Sequence, residues 1–248
     1  MTQIKAEYPI DLHTHTMASA HAYSTVTENA RAAAERGLAV MAVTDHASHM
    51  QDAPHKWHFR NIHRIPPELF GVRILLGAEL NLLDFDGRVD LTGRTLEAMD
   101  LCIASLHPSC LRPETAAKNT AALLGAMENP KVFIIGHPNY EETRTDLRQL
   151  AKRAAECGVA LELNNSSLKR ERDYEQNREN AREMLAYCKE YGTHISLGSD
   201  AHFWTEVGDF AEAKAFLEEA AFPEELIVCS SMKRLDAFLA ERRRIAPD

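Results

Sequence analysis

Near-continuous apolar runs recur along this chain, and nearly every one ends on a side chain able to hold a metal ion. In order they read IDLHTH (10–15), VMAVTDH (40–46), RILLGAE (73–79), LCIASLH (101–107), VFIIGH (132–137), ALELNN (160–165) and ISLGSDAH (195–202). Short runs that are apolar throughout, rather than alternating, mark strands buried on both faces of a parallel sheet. Between them the spacing turns helical. ENARAAAER has Thr27 as its expected N-cap and Gly37 as the residue that ends it. Pro113 is expected to open a helix that runs to Met127, and Pro130 forbids its continuation. Thr145 is the expected cap of DLRQLAKRAAEC, which stops at Gly158; NRENAREMLAYCKEY stops at Gly192. FAEAKAFLEEA and MKRLDAFLAERRR follow, the latter after a short expected strand, LIVCS, with Ser230 and Ser231 as cap candidates. Strand and helix alternate at roughly 30 residues, the length of one βα unit. The pattern predicts an α/β chain, and if its strands close into a barrel their ends converge on one pocket at the C-terminal face.

One stretch lacks either period. SHMQDAPHKWHFRNIHRIPP (48–67) is rich in His, Pro and aromatic residues and directly follows His46, so a long loop over the pocket mouth is expected. The triplet Arg242, Arg243 and Arg244 reads as a solvated helix end, where cations suit the helix dipole.

The strand ends carry the chemistry. His13 and His15 stand two apart on a strand, so both face one way and can grip one ion, with Asp11 one step deeper on the same face to accept a ligand's second N–H. Asp200 and His202 repeat that spacing on the last main strand. Glu79 ends a wholly apolar strand, where an unpaired carboxylate is costly to bury and a cation is the simplest partner. His107 and His137 end strands in the same way, each followed by proline, and His21 lies in the loop after the first strand, within reach of the pocket. Asp45, before His46, is a candidate proton donor, but its parity opposes that of His46. Lys56, His58 and Arg60 crowd the irregular stretch as possible phosphate contacts, the alternative being a loop packed around Trp57. Asn164 and Asn165 end the sixth strand at pocket level, placed to bond substrate or water.

The bulk numbers narrow the class. A chain of 248 residues suits one barrel domain spanning 1–248. A formal net charge of −9 counts against a protein that tracks a nucleic-acid backbone, though metal ions can invert the potential locally for a phosphorylated substrate. The five cysteines are odd in number and form no CxxC pair, which suits reduced thiols. MTQIKAEYPIDLH has no apolar core for a signal peptide and no stretch approaches the ~20 apolar residues that span a bilayer, so the cytoplasm is the expected location.

The run HTHT, then His21, TDH, GAE, SLH, GHP and GSDAH, in this order over the whole chain, resembles the PHP (polymerase and histidinol phosphatase) superfamily. DAPHKWHF and ELNNSS resemble its YcdX-type phosphoesterase branch in particular. The resemblance implies a single distorted (β/α)7 barrel, TIM-like, with three divalent ions at the C-terminal face of the strands. It implies one ion on His13, His15, Glu79 and Asp200, and a second on Glu79, His107 and His137 with Glu79 bridging. The third would take His21, His46 and His202. Imidazoles and two carboxylates without thiolate suit zinc, and also manganese or iron. The function so implied is hydrolysis of a small phosphorylated substrate by water that the ions activate.

Rival readings carry different signatures. Metal-dependent amidohydrolases also open with HxH but commonly bridge their ions with a strand-end lysine, and no strand here ends in lysine. A 3′–5′ exonuclease or a histidinol phosphatase of the same superfamily remains open, as does a metal-binding regulator without activity. Oligomeric state is not legible.

Overall fold

A computed structural model describes residues 6–51, 53–169 and 174–245. Residues 1–5 of the N-terminal stretch and Asp52 of DAPHKWHF lie outside them. The strands are β1 (Ile10–Asp11), β2 (Val40–Val43), β3 (Glu68–Leu69), β4 (Val72–Asn81), β5 (Leu101–Ser105), β6 (Val132–Ile135), β7 (Ala160–Asn164) and β8 (Ile195–Gly198). The sheet order is β1-β2-β4-β5-β6-β7-β8, parallel throughout, with β3 added antiparallel on β4. Past the ends of β1 and β8 the chains meet again: His15 N–H donates to the Ala201 carbonyl at 2.9 Å and Asp200 N–H to the His13 carbonyl at 2.9 Å. Those bonds close the sheet into a (β/α)7 barrel. Its wall is mostly apolar, with Val40, Met41, Ala42 and Val43 of β2 and Val132 and Ile134 of β6 all at 0% exposure, which is why these two strands read as unbroken apolar runs.

The helices are α1 (Val26–Glu35), α2 (Trp57–Asn61), α3 (Gly93–Glu97), α4 (Ala116–Ala126), α5 (Leu147–Cys157), α6 (Tyr174–Tyr191), α7 (Ala211–Glu219) and α8 (Met232–Ile245). Their caps differ from expectation by a residue or two. Thr25, not Thr27, caps α1, because only Thr25 has Glu28 three residues on to close a capping box: its side chain accepts from Glu28 N–H, and Glu28 accepts from Thr25 N–H at 2.7 Å. Asp146, not Thr145, caps α5, and α4 starts after Thr115 rather than at Pro113. LIVCS is not a strand. Its Leu226 ends one 3-10 turn, Glu224–Leu226, and Val228–Ser230 form another; the segment meets β8 through a bridge from Ile227 to Ile195 and through the Cys229 thiol, which accepts from Leu197 N–H at 3.2 Å.

Two other expectations are corrected. The irregular stretch after His46 contains α2 and a 3-10 turn, Ile62–Arg64, anchored by Phe59 at 0% and Ile62 at 3% exposure, while Trp57 is 62% exposed. Phe59, not Trp57, is the residue it packs around. And Arg242 does not point into solvent. It is 1% exposed at the foot of the barrel, where its guanidinium donates to the carbonyls of Val132, Cys157, Met127 and Asn129. Those carbonyls belong to the start of β6, the end of α5 and the α4–β6 connection, so one side chain ties α8 to three neighbours.

Candidate metal centre

The nine residues expected as ligands lie in the loops and strand ends at the C-terminal face of the barrel. His13, His107, His137 and Asp200 stand two residues past a strand, where the backbone can leave the sheet and aim side chains inward, while Glu79 lies within β4. Two of them need unusual backbone for this: His137 at φ 29° and Asp200 at φ 55° occupy the left-handed region. Such conformations collect at functional sites and persist because the surroundings enforce them.

One quartet is tight. The Nε2 atoms of His13 and His15 are 3.0 Å apart. His13 Nε2 lies 3.4 Å from Glu79 Oε2 and 3.6 Å from Asp200 Oδ1; His15 Nε2 lies 3.5 and 3.1 Å from the same two atoms. Four donors on one tetrahedral ion at the usual zinc distances are separated by roughly 3.3 Å, and these five separations of 3.0–3.6 Å are compatible with that spacing. The other oxygen of Glu79 serves a second group, 3.2 Å from His107 Nε2 and 3.0 Å from His137 Nε2. Glu79 therefore presents one oxygen to each cluster. In the third group, His21 Nε2 and His202 Nε2 are 2.8 Å apart and the His21 ring stacks on His46 at 5.1 Å. His46 stands between groups: its Nδ1 is 2.8 Å from Glu79 Oε2, and one of its ligand atoms also gathers with those of His15 and His202 within 4.8 Å.

The buried atoms fit cations better than they fit one another. His46 Nδ1 and Glu79 Oε2 are in contact distance, yet both are buried and neither is aligned for a hydrogen bond. At His13–His15 the Nδ1 atoms face Glu162 and the Ser19 oxygen, so the two Nε2 lone pairs face each other and suit a cation between them. The electrostatics follow. Burial alone would raise Glu79, but His107, His13 and His46 hold its carboxyl well below the ordinary range, and the imidazoles of His13, His15 and His202 do the same for Asp200. Burial pushes His15 down to about 4, so it stays neutral and able to ligate.

What orients each ring was largely missed in the sequence. Asp11 was expected to take a ligand's second N–H; instead it accepts from Ser199, Gly208 and the His13 backbone, bracing the β1–β8 seam. The ring contact belongs to Glu162, whose Oε1 accepts from His13 Nδ1 at 2.7 Å while Oε2 accepts from the His137 backbone at 2.8 Å. Gly198 makes room for it, since a Cβ there would run into the Glu162 carboxylate and the His13 side chain. A lone carboxylate inside the apolar run ALELN was the available signal. Asn81 Oδ1 accepts from His107 Nδ1 at 2.7 Å, and the Asp200 carbonyl from His202 Nδ1 at 2.9 Å.

The remaining candidates are placed as follows. Asp45 is buried and accepts from Thr16 N–H and Oγ at 2.7 and 2.8 Å and from Ser19 Oγ at 2.9 Å, with His58 Nε2 3.5 Å away. Burial would raise it, but His58, His15 and the Thr16 donors bring it below the usual carboxylate range, so it acts as an acceptor that shapes the 16–19 loop. Its bond also orients the Ser19 hydroxyl, whose oxygen faces His15 Nδ1 at 3.4 Å. Asn164 donates to Asp200 and to Glu162, each at 3.2 Å, and accepts from Ser167 N–H at 2.9 Å. Asn165 accepts from Ala213 N–H at 3.0 Å, turned toward α7. Lys56 and Arg60 are exposed on the α2 segment, and of that trio only His58 is directed inward.

Comparisons agree with this architecture. A model of the PHP domain matches residues 11–234. A probable phosphatase of Clostridium novyi is 39% identical over 239 residues, covering 96% of this chain and 97% of the relative. Probable phosphatase YcdX of Escherichia coli is 40% identical over 240 residues, 97% of each. Among solved structures, histidinol phosphate phosphatase from Lactococcus lactis, complexed with zinc, L-histidinol and phosphate, superposes with a TM-score of 0.61 at 18% identity, covering 87% of this chain and 95% of that one.

Proposed function

The chain belongs to the PHP domain family, and from that premise we propose that it is a phosphatase that hydrolyses a small phosphorylated substrate with three divalent ions, zinc being the best match to the donor set. The observation that carries the reading is the quartet of His13, His15, Glu79 and Asp200, whose donor atoms keep the separations of one coordination shell. Probable phosphatases at about 40% identity over nearly the full length support the reaction class.

Each residue then has a stated task. His13, His15, Glu79 and Asp200 would hold one ion, Glu79, His107 and His137 a second, and His21, His46 and His202 a third. When bound, the ions supply charge for the phosphate oxygens and lower the pKa of a coordinated water. Glu162, Asn81 and the Asp200 carbonyl keep the far ring nitrogens protonated, so that the near ones present lone pairs. Glu79 and Asp200, ionised and buried, would repel a phosphate in a chain already at −9, so the anion binds only where cations outnumber them. Lys56, His58 and Arg60 on the α2 segment are the proposed protein contacts to the substrate, and Asn164 acts by holding Asp200.

The test is hydrolysis of an aryl phosphate by protein stripped with chelator and then reloaded with zinc, manganese or iron, followed by a panel of phosphorylated metabolites. Activity that vanishes on stripping and returns on reloading is the expected result. Fully loaded protein that cleaves no phosphate ester, but cleaves amides or nothing, would overturn the proposal.

A further inference from the structure

Asn81 and Asp90 form a chain of hydrogen bonds that ends on a candidate ligand, and neither belongs to the ligand set. Asn81 closes β4, two residues beyond Glu79, and is fully buried. Its carboxamide meets three groups: Nδ2 lies 2.8 Å from Asp90 Oδ2 and 3.1 Å from the Ala47 carbonyl, while Oδ1 lies 2.7 Å from His107 Nδ1. A carboxylate and a carbonyl can only accept, so the NH2 end of Asn81 must face them and the oxygen must face His107. An amide oxygen can only accept in turn, so His107 must carry its proton on Nδ1. Its Nε2 lone pair is thereby aimed at Glu79 Oε1, 3.2 Å away.

Asp90 holds this arrangement at three points. Beyond the Asn81 side chain, its Oδ1 accepts from Asn81 backbone N–H at 3.0 Å and its Oδ2 from His49 N–H at 2.8 Å. The segment just after His46 is thus tied to the same carboxylate that sets the amide. The Ala47 carbonyl favours the same amide orientation from 3.1 Å, but Asp90 is the charged and nearer acceptor at 2.8 Å, so it carries the larger share of the bias against a rotated amide, which would put NH2 against His107 and require the opposite tautomer.

We propose that Asp90 is a positioning residue for the ion site of Glu79, His107 and His137, acting through the orientation of the Asn81 carboxamide. This rests on the metal reading above. Asp90→Asn offers Asn81 an amide in place of a carboxylate, so only the Ala47 carbonyl still selects one amide orientation and the preference weakens; Asn81→Ala removes the acceptor of His107 outright. In each variant the affinity of one ion should fall by roughly 10- to 100-fold, the range seen when a ligand's hydrogen-bonding partner is removed, while the remaining ions bind as in the wild type.

The experiment is titration of chelator-stripped protein with zinc, followed by calorimetry and by counting bound ions, for wild type, Asp90→Asn and Asn81→Ala. The histidine Nδ1–H resonance assigned to His107 is followed by NMR in the same samples. Loss of a single ion's affinity together with that resonance is the expected outcome. Unchanged affinities in both variants would overturn the proposal, as would an equal weakening of all ions, which marks Asp90 as a general staple. If Asp90→Asn does not fold, Asp90→Ser, which also removes the carboxylate that faces Asn81 Nδ2, is read in its place against the same outcomes. Wild-type protein that takes up no zinc would instead refute the metal reading itself, so the two failures are distinguishable.

Discussion

Arg242→Met should weaken the protein severely while leaving the candidate metal centre intact. The guanidinium is 1% exposed and makes four hydrogen bonds to backbone carbonyls at 2.7–3.0 Å. Methionine keeps the apolar stem but leaves those carbonyls without that donor in a region closed to water. Counting ~1 kcal/mol net for each of four bonds gives about 4 kcal/mol, since stronger charge-assisted bonding is offset by the desolvation the arginine no longer suffers. For a chain of this size about 4 kcal/mol corresponds to a fall in Tm of roughly 8–16 °C. Urea unfolding of ion-free protein, with Arg244→Met as the exposed control, measures it. The control should stay within about 0.5 kcal/mol of wild type. An Arg242→Met variant as stable as that control would show that the four bonds contribute nothing net, and the clamp would have to be abandoned.

Four further outcomes are expected. Glu79→Gln takes a ligand from two proposed ions at once, so it should cost more activity than His21→Ala, which leaves two ions bound and some turnover; equal losses, read by kinetics with metal analysis, would contradict the bridging role. Glu162→Gln leaves one acceptor where His13 Nδ1, His137 N–H and Asn164 Nδ2 now share two; calorimetry should show roughly 10- to 100-fold weaker binding of the ion on His13. Phe59→Ala should cost about 3–5 kcal/mol in urea unfolding, as expected for a fully buried aromatic, while Trp57→Ala changes stability little. Truncating Lys56, His58 or Arg60 should lower kcat/KM by roughly ten- to hundred-fold in at least one case, for a lost contact worth about 1.5–3 kcal/mol, without change in metal content; three silent variants would leave the ions as the whole phosphate site.

The fold was legible because the barrel strands are largely buried on both faces, and burial writes itself as a nearly continuous apolar run. The candidate ligands were legible for the converse reason: a histidine or carboxylate at the end of such a run has no cheap alternative to a partner. What surrounds them was not. Glu162 and Asn81 sit within strands, and nothing in their spacing says that one accepts from His13 and the other from His107. Asp90 reaches the site from a loop, a tertiary contact without periodic trace. The five residues of α2 are too few for a helical period to emerge, so the stretch read as loop and its anchor as Trp57. Arg242 misled because a cation in a helix's last turn is the ordinary solvated case, and only the carbonyls converging from α4, α5 and β6 make it buried.

The most direct test of the proposed trinuclear site is a crystal of metal-loaded protein measured above and below the absorption edge of the bound ion. Three anomalous peaks are expected, with Glu79 between two of them and His21, His46 and His202 converging on the third at about 2.0–2.2 Å. Fewer than three peaks, or a loaded site with His21 turned to solvent, would contradict it.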